Sequence, residues 1–285
     1  MSKKIVITSD STTDLGPELH ERYNIRTVPL GVTLGDKTFF DGVDITPDEI
    51  YAHHAKTGEL PHTAATNIGE CAEFFEKVTA DGSTVLHFTI SSDMSSTYNN
   101  ARLAAEDFPN VYVIDTRNLS TGGGLLMLAA ADMVSAGMEA EEIVKKIEEM
   151  TAQVDASFVI DSLEYLYKGG RCSALSMFGA NLLKLKPCIE VKNGVMGVGK
   201  KYRGKYETVL SEYVAERLVN PDDIIPDRAF ITHAGCDEET VLKMVKQVKD
   251  TGIFKEVFHT RASCTISSHC GRNTLGVLFI RKSAI

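Results

Sequence analysis

Features that would place a chain in a membrane or an oxidising compartment are missing from this sequence. No apolar run reaches the roughly 18 residues of a transmembrane helix, and the richest window, residues 122–134, is interrupted by Asp132. The segment Met1–Ile7 is too short and too strand-like for a signal peptide. The cysteines include no Cys-x-x-Cys pair and indicate reduced thiols; they are Cys71, Cys172, Cys188, Cys236, Cys264 and Cys270. We therefore expect a cytoplasmic protein without stable membrane insertion.

An intact nucleotide-binding loop is also missing. Gly194–Lys201 nearly matches the phosphate-loop pattern, but Lys201 replaces the hydroxyl residue that would bind magnesium. The pair Asn193-Gly194 is typical of a hairpin, whereas a phosphate loop joins a strand to a helix. Thr121–Gly124 lacks the spacing of a dinucleotide-binding fingerprint. The sequence therefore predicts no nucleotide cofactor.

The histidines and cysteines near the carboxyl end form no recognisable metal or catalytic set. Their spacing matches no paired-ligand pattern for zinc; they are His233, Cys236, Cys264, His269 and Cys270. A Cys270 nucleophile beside His269 is awkward in a strand, because adjacent strand side chains point to opposite faces. The pattern favours a binding protein without metal over an enzyme. A stand-alone hydrolase or phosphotransferase is the alternative.

One basic window stands out from an acidic chain. The protein has 285 residues, enough for two domains, and a formal net charge of −9. The window Lys168–Lys205 contains nine Lys and Arg residues and a single acidic residue, Glu190. Such a window can attract a small anion or an acidic partner protein. We do not expect nucleic acid to be a partner.

Five segments repeat one pattern, in which a short β-branched run leads into polar residues and then a helical period. Runs that are apolar on both faces and alternate with helices indicate parallel strands covered on both sides. The polar residues then lie at the carboxyl ends of the strands, where open α/β sheets bind ligands. The five runs are Ile5–Ile7, Val85–Ile90, Val111–Ile114, Phe158–Ile160 and Phe230–Thr232.

Other segments predict hairpins and an α/β fold of two domains. We predict hairpins at Pro29–Phe40, around Gly35-Asp36, and at residues 189–198, around Asn193-Gly194. Leu275–Arg281 indicates a final strand. The prediction is a parallel-sheet α/β/α domain over residues 1–152 and a mixed-sheet α/β domain over residues 153–285.

Hydroxyl side chains gather at two places that suit anion binding. Thr63 and Thr66 lie in a segment that we expect to be an extended loop, and Ser91–Thr97 follows the second β-branched run. Neutral donors at a helix start can bind an anion, but without a neighbouring acid or base they suit binding better than chemistry. Leu125–Met133 is apolar nearly all round, as in a helix buried between layers, although it could also wall an apolar tunnel.

Motifs along the whole chain resemble those of the DegV family. The most specific match is Leu163–Arg171, with the sequence LEYLYKGGR. The other matches, in order, are Ile7–Leu15, Ile90–Tyr98, Ile114–Thr116 with Ser120 and Gly122–Gly124, Lys184–Pro187, Lys201–Lys205, and Ser268–Gly271. Members of this family are fatty-acid-binding proteins with two α/β domains, related in fold to the substrate-binding part of dihydroxyacetone kinases.

The resemblance implies a long-chain fatty acid, such as palmitate, as the ligand. Thr63 and Ser95 should hold its carboxylate, with Ser92 and Ser96 completing the mouth of the pocket. The segment Thr63–Asn67 departs from the usual family loop, so a binder of another hydrophobic acid is a second alternative.

The resemblance also implies a protein partner. Arg203 and His269 match family positions near the head group, and Arg171 matches a surface arginine expected to meet a kinase. That separate fatty-acid kinase uses ATP to phosphorylate the bound acid, which gives an acyl phosphate for phospholipid synthesis. The chain itself would then be the non-catalytic subunit.

Overall fold

The computed structural model describes residues 4–172 and 185–285, which contain thirteen strands and ten α-helices. The strands are β1 (Ile5–Asp10), β2 (Arg26–Val28), β3 (Gly31–Leu34), β4 (Lys37–Phe40), β5 (His62–Ala64), β6 (Thr84–Thr89), β7 (Val111–Asp115), β8 (Val154–Ile160), β9 (Lys186–Lys192), β10 (Val195–Tyr202), β11 (Ile224–Ala234), β12 (Glu256–Arg261) and β13 (Thr274–Arg281). The helices are α1 (Gly16–Arg22), α2 (Pro47–Thr57), α3 (Ile68–Thr79), α4 (Thr97–Ala104), α5 (Thr121–Ser135), α6 (Ala140–Met150), α7 (Glu164–Gly169), α8 (Tyr206–Arg217), α9 (Glu238–Asp250) and α10 (Cys264–Cys270).

Four strands form a parallel sheet in the order β2-β1-β6-β7. Its register aligns Ile7 with Leu86, and Leu86 with Tyr112. Every residue of β6 is buried, because α3 and α4 pack on one face of the sheet and α5 and α6 on the other. The first three β-branched runs lie in this sheet, which confirms the predicted parallel layer.

Six strands form a mixed sheet in the order β10-β9-β8-β13-β11-β12. Only the β11–β12 pair is parallel among its described neighbours. Alternate residues of β13 face opposite layers: Val277 and Phe279 pack against α8 and α9, whereas Leu278 and Ile280 pack toward α5. The mixed α/β fold with one parallel and one mixed sheet agrees with the prediction.

Helix α5 lies in the core between the two sheets. It packs against β1 and β6 of the parallel sheet and against β8, β11 and β13 of the mixed sheet. A Cβ on Gly124 would come within 3.0 Å of the Thr13 carbonyl oxygen, so the glycine permits this close approach. The apolar segment Leu125–Met133 is therefore core helix. Since one core joins both sheets, the division near residue 152 stays a prediction.

The predicted hairpins and the final strand are present. β3 and β4 pair around Gly35-Asp36, in a small antiparallel sheet of order β4-β3-β5, and β9 and β10 pair around Asn193-Gly194. Positive φ angles of 50° and 84° at Asn193 and Gly194 suit a tight hairpin turn.

Three local expectations are wrong. Phe158–Ile160 was expected to be a parallel strand, but it lies in β8, which is antiparallel to both β9 and β13. Thr63 does not lie in a loop but in strand β5, where it pairs with Val32 of β3. His269 and Cys270 do not lie in a strand but at the end of α10, which begins after the N-cap Ser263. The Ser263 side chain accepts a hydrogen bond from the Ile266 backbone N–H. This N-cap contact favours a helix over a strand at the following residues.

Candidate functional site

A cavity of about 280 Å³ opens where β5, α10 and the turn after β6 meet. Its apolar walls include Leu30, Ile90, Met94, Leu119, Met196 and Ile266, and its polar lining comprises Thr63, Ser95, Ser96, Arg171, Thr265 and His269. Thr63, Ser95, Ser96 and His269 were all predicted from the sequence as ligand contacts. An apolar cavity with a few polar groups on one side is typical of a small-molecule binding site.

Thr63 and His269 form the central polar contact of this cavity. The Thr63 Oγ1 lies 2.8 Å from the His269 Nε2, although 206 positions separate the two residues. Burial of the imidazole, together with the nearby Arg171 guanidinium, lowers the pKa of His269 to about 4. The ring is therefore neutral at pH 7, and the pair presents uncharged donors to a ligand.

Gly169, in the motif Leu163–Arg171, leaves room for the His269 side chain. A Cβ on Gly169, at the end of α7, would lie 2.5 Å from the His269 Nδ1. That nitrogen is buried and has no hydrogen-bond partner within the described ranges. Gly169 thus leaves the space that the His269 ring occupies, and Arg171 of the same segment lines the cavity.

The serines after β6 divide between the cavity and a structural contact. Ser95 and Ser96 line the cavity, and the Ser95 Oγ lies 2.9 Å from the Thr97 Oγ1 at the start of α4. Ser92 is not among the lining residues; its hydroxyl accepts a hydrogen bond from Arg117 at 3.2 Å. Proximity in sequence to Ser95 therefore does not bring Ser92 to the same site.

The two predicted arginines occupy different surroundings. Arg171 is exposed, lines the cavity, and donates a hydrogen bond to the Gly169 carbonyl at 2.7 Å. Arg203 is exposed just after β10 and is not among the cavity-lining residues. Arg272 lies over the Tyr51 ring, 5.3 Å from its centroid. Among the described residues, Arg171 is thus the predicted cation that lines this cavity.

Two further cavities adjoin the first. An outer, polar cavity of about 590 Å³ shares Thr63, Arg171 and His269 with it. An inner, apolar extension of about 30 Å³ shares Leu119, Ile266 and Cys270. The Thr63–His269 pair therefore lies at the boundary between a polar entrance and an apolar interior.

Buried carboxylates, which sequence reasoning missed, hold the start of α10. Asp41 accepts the backbone N–H groups of Cys264 at 2.8 Å and Thr265 at 2.9 Å, and Asp14 accepts that of Ser263 at 2.8 Å. Asp14 belongs to a motif that the sequence had already singled out, but nothing in the sequence paired it with a segment 249 positions away.

Asp14 should make stability depend on pH. Burial raises the pKa of its carboxyl from 3.8 to about 7, despite hydrogen bonds from Ser120 and Ser263 that act the other way. The folded state thus binds this proton more tightly than the unfolded chain, so the free energy of unfolding falls as pH rises from 3.8 to about 7. Asp14→Asn removes this dependence, and Asn also tolerates the positive φ of 51° at this position.

We expect Asp14→Asn to gain on the order of 2 kcal/mol of unfolding free energy relative to the parent between about pH 5 and pH 8. Urea unfolding at both pH values measures this difference. The lowered pKa values of His87, His233 and His269 have the opposite effect, but they are common to both proteins and cancel. Parallel pH curves for parent and variant would contradict the assignment.

Two further cavity residues were not predicted as ligand contacts from the sequence. Thr265 lines the cavity, and its hydroxyl oxygen is buried without a hydrogen-bond partner in the described structure. Cys270 also lines it, and burial raises the pKa of its thiol to about 12, so it is not a thiolate at neutral pH. The family motif Ser268–Gly271 does not include Thr265, which lies one helical turn before His269 in α10 and lines the same cavity.

A family model described as "Uncharacterised protein, DegV family" matches residues 4–282. The chain belongs to the DegV family. A DegV domain-containing protein of Clostridium acetobutylicum is 31% identical over 291 residues, which cover 98% of this chain and 100% of that protein.

Solved structures support the same assignment. A DegV-family protein from Thermus thermophilus, described as fatty acid binding, superposes with a TM-score of 0.90 at 28% identity, covering 98% of this chain and 99% of that one. A stearic-acid-binding protein from Eubacterium ventriosum gives a TM-score of 0.83 at 29% identity, with 99% of each chain covered.

The basic window of this DegV-family chain is less cationic in the fold than in the sequence. Lys168, Lys186, Lys192 and Lys200 each lie within 4 Å of a carboxylate, in ion pairs with Glu164, Asp161, Glu190, and both Glu212 and Glu216. Part of the window, including Lys184 of the motif Lys184–Pro187, lies outside the described residues. Arg171 stays exposed at the cavity entrance.

In the described ranges, no helix is long and apolar enough to cross a membrane, and no cluster of His, Cys, Asp or Glu is arranged to hold a metal ion.

Proposed function

We propose that this protein binds a long-chain fatty acid such as palmitate, with its carboxylate near Thr63, Ser95 and His269 and its alkyl chain along the apolar walls of the main cavity and into the inner extension. The observation that carries the proposal is the position of the Thr63–His269 pair, between a polar entrance and an apolar interior. Fatty-acid binding by relatives in Thermus thermophilus and Eubacterium ventriosum supports the same ligand class.

Burial of the alkyl chain would supply most of the affinity. Burying about 14 methylenes at ~0.8 kcal/mol each contributes roughly 11 kcal/mol before the costs of ordering the ligand. A single hydrogen bond contributes about 1 kcal/mol. The apolar cavity should therefore determine how tightly an acid binds, and the hydroxyls should determine its direction.

Neutral donors would suit a carboxylate that must react later. If the His269 Nε2–H donates to the Thr63 Oγ1, the Thr63 hydroxyl can donate its own proton to the ligand. Such a contact holds the carboxylate without neutralising its charge. Ser95 and Ser96 would contribute from the turn before α4, while Ser92 and Arg203 would not contact the acid directly, since neither lines the cavity.

We further propose that the protein is not itself an enzyme and that a separate ATP-dependent kinase phosphorylates the bound acid. Arg171 at the entrance would then contact the kinase or the product phosphate. The measurement is acyl phosphate formation in mixtures that lack one component at a time. Product formed by the protein, acid and ATP without a kinase would favour the stand-alone phosphotransferase.

The ligand class is tested by organic extraction of freshly purified protein followed by mass spectrometry. A straight-chain fatty acid in stoichiometric amount is the expected result. A different hydrophobic acid, or no lipid together with no binding of added palmitate, would overturn the proposal.

Thr63→Val should weaken palmitate binding by about 10- to 150-fold, because one hydrogen bond to a charged ligand contributes about 1.5 to 3 kcal/mol. Displacement of a fluorescent fatty acid by palmitate measures this change. The matched control is Thr33→Val on the neighbouring strand β3, where the hydroxyl contacts Thr38 rather than the cavity. Equal palmitate affinity in the two variants would show that Thr63 does not bind the carboxylate.

A further inference from the structure

The inner end of the cavity lies over one face of the mixed sheet, at the level of Gly276. Gly276 in β13 pairs with Phe158 of β8 on one side and Thr232 of β11 on the other, and all three line the inner extension. A Cβ at Gly276 would lie 2.7 Å from the Ser157 carbonyl oxygen and 3.1 Å from the Leu278 Cδ1, so the Leu278 side chain covers this glycine. Ser120, Thr232 and Thr274 also line the inner extension, but their hydroxyls hydrogen-bond within the protein and leave an apolar surface.

The next residue on the same face of β13 is Leu278. It pairs with Ala156 on β8 and with Phe230 on β11, and it lines the inner extension. Ala156 is small, and the Phe230 ring is fully buried and stacked on Phe258 at 5.2 Å. Leu278 is therefore the flexible aliphatic side chain that closes this end.

A separate cavity lies beyond Leu278. Its volume is about 240 Å³, and it is lined by residues that include Leu125, Ile225, Arg228 and Ile280. Ile280 follows Leu278 on the same face of β13, about 7 Å further along the strand. Leu278 thus lies between two spaces on the same face of the mixed sheet: the inner extension, which it lines, and the cavity at Ile280.

We propose that Leu278 determines the maximum length of the acyl chain, by stopping its methyl end short of the cavity at Ile280. The inference rests on the proposed fatty-acid function and names the residue that sets its chain-length preference. Leu278→Ala removes three carbon atoms from this barrier, and a longer chain can then advance toward the second cavity.

The test compares straight-chain saturated acids from myristate to arachidate, in steps of two carbons, by displacement of a fluorescent fatty acid. Burial of one methylene strengthens binding about fourfold. We therefore expect Leu278→Ala to improve the affinity for an acid two carbons longer than the parent's optimum about 15-fold, relative to the optimum acid. Leu278→Val, which removes less, should shift the preference in the same direction by a smaller factor.

Val277→Ala is the matched control. Val277 is a fully buried aliphatic residue of the same strand, but it faces α8 and α9. Val277→Ala should lower the free energy of unfolding without changing the preference for acyl-chain length. Adding Ile225→Phe to Leu278→Ala fills the second cavity and should cancel the gain for longer acids.

The outcomes separate the inference from the function on which it rests. Unchanged chain-length profiles in both Leu278 variants, with normal fatty-acid binding, would overturn the role of Leu278 alone. The same shift in Val277→Ala would overturn it too, because loosening of the core would then be the cause. Failure of the parent protein to bind any of the acids would overturn the proposed function itself.

Discussion

Ile266→Phe is expected to weaken palmitate binding about 100-fold. Ile266 lines both the main cavity and its inner extension, so a larger ring at this position narrows the passage between them. The ring would displace about three or four methylenes of the ligand, each contributing ~0.8 kcal/mol, and the loss is about 3 kcal/mol. The ring enters existing space, so the cost to the fold should be smaller than for overpacking a filled core. Fluorescent displacement and urea unfolding measure the two effects separately.

Ile225→Phe is the control for this substitution. Ile225 lines the cavity of about 240 Å³ at Arg228, which shares no lining residue with the main cavity. The same change of side chain there should leave palmitate affinity within about twofold of the parent, because it does not reach the proposed ligand path. A loss of binding in both variants would mean that global loosening, and not blockage, accounts for the effect.

Local patterns in the sequence predicted much of the fold. The β-branched run Val85–Ile90 became the fully buried strand β6, and Asn193-Gly194 became the turn of the β9–β10 hairpin. Both predictions depend on residues close together in the chain, where side-chain periodicity and turn preferences act directly. The segment Leu125–Met133 was also correctly expected to be buried, since a helix that is apolar all round needs neighbours on every side.

The site was only partly predictable, because its contacts join distant segments. Family resemblance named Thr63, Ser95 and His269, but the pairing of Thr63 with His269 required the fold. Asp41 lies in none of the family motifs, yet its carboxylate accepts the backbone N–H groups at the start of α10. The charge of the basic window was misleading for the same reason: Lys186 and Lys200 are paired with carboxylates elsewhere in the chain, which a local count of charges does not include.

Asp41→Ala is expected to lower the free energy of unfolding by about 3 to 5 kcal/mol. The Asp41 side chain is 3% exposed and accepts three hydrogen bonds, from the backbone N–H groups of Cys264 and Thr265 and from the Ser11 hydroxyl. Alanine would leave two buried N–H groups without acceptors, at about 1 to 3 kcal/mol each. Asp41→Asn should also destabilise, because its amide –NH₂ would face one of these donors.

Asp48→Ala is the control, measured by urea unfolding beside Asp41→Ala. Asp48 also forms an ion pair with a residue distant in sequence, Arg261, but the Asp48 side chain is 64% exposed. An exposed ion pair contributes at most about 1 kcal/mol to stability. Because α10 carries Ile266 and His269 into the cavity, the destabilised Asp41→Ala protein should also bind palmitate more weakly under conditions in which it stays folded. A stability within 1 kcal/mol of the parent would show that α10 does not depend on this carboxylate. Normal stability with weakened binding would instead assign Asp41 to positioning the site alone.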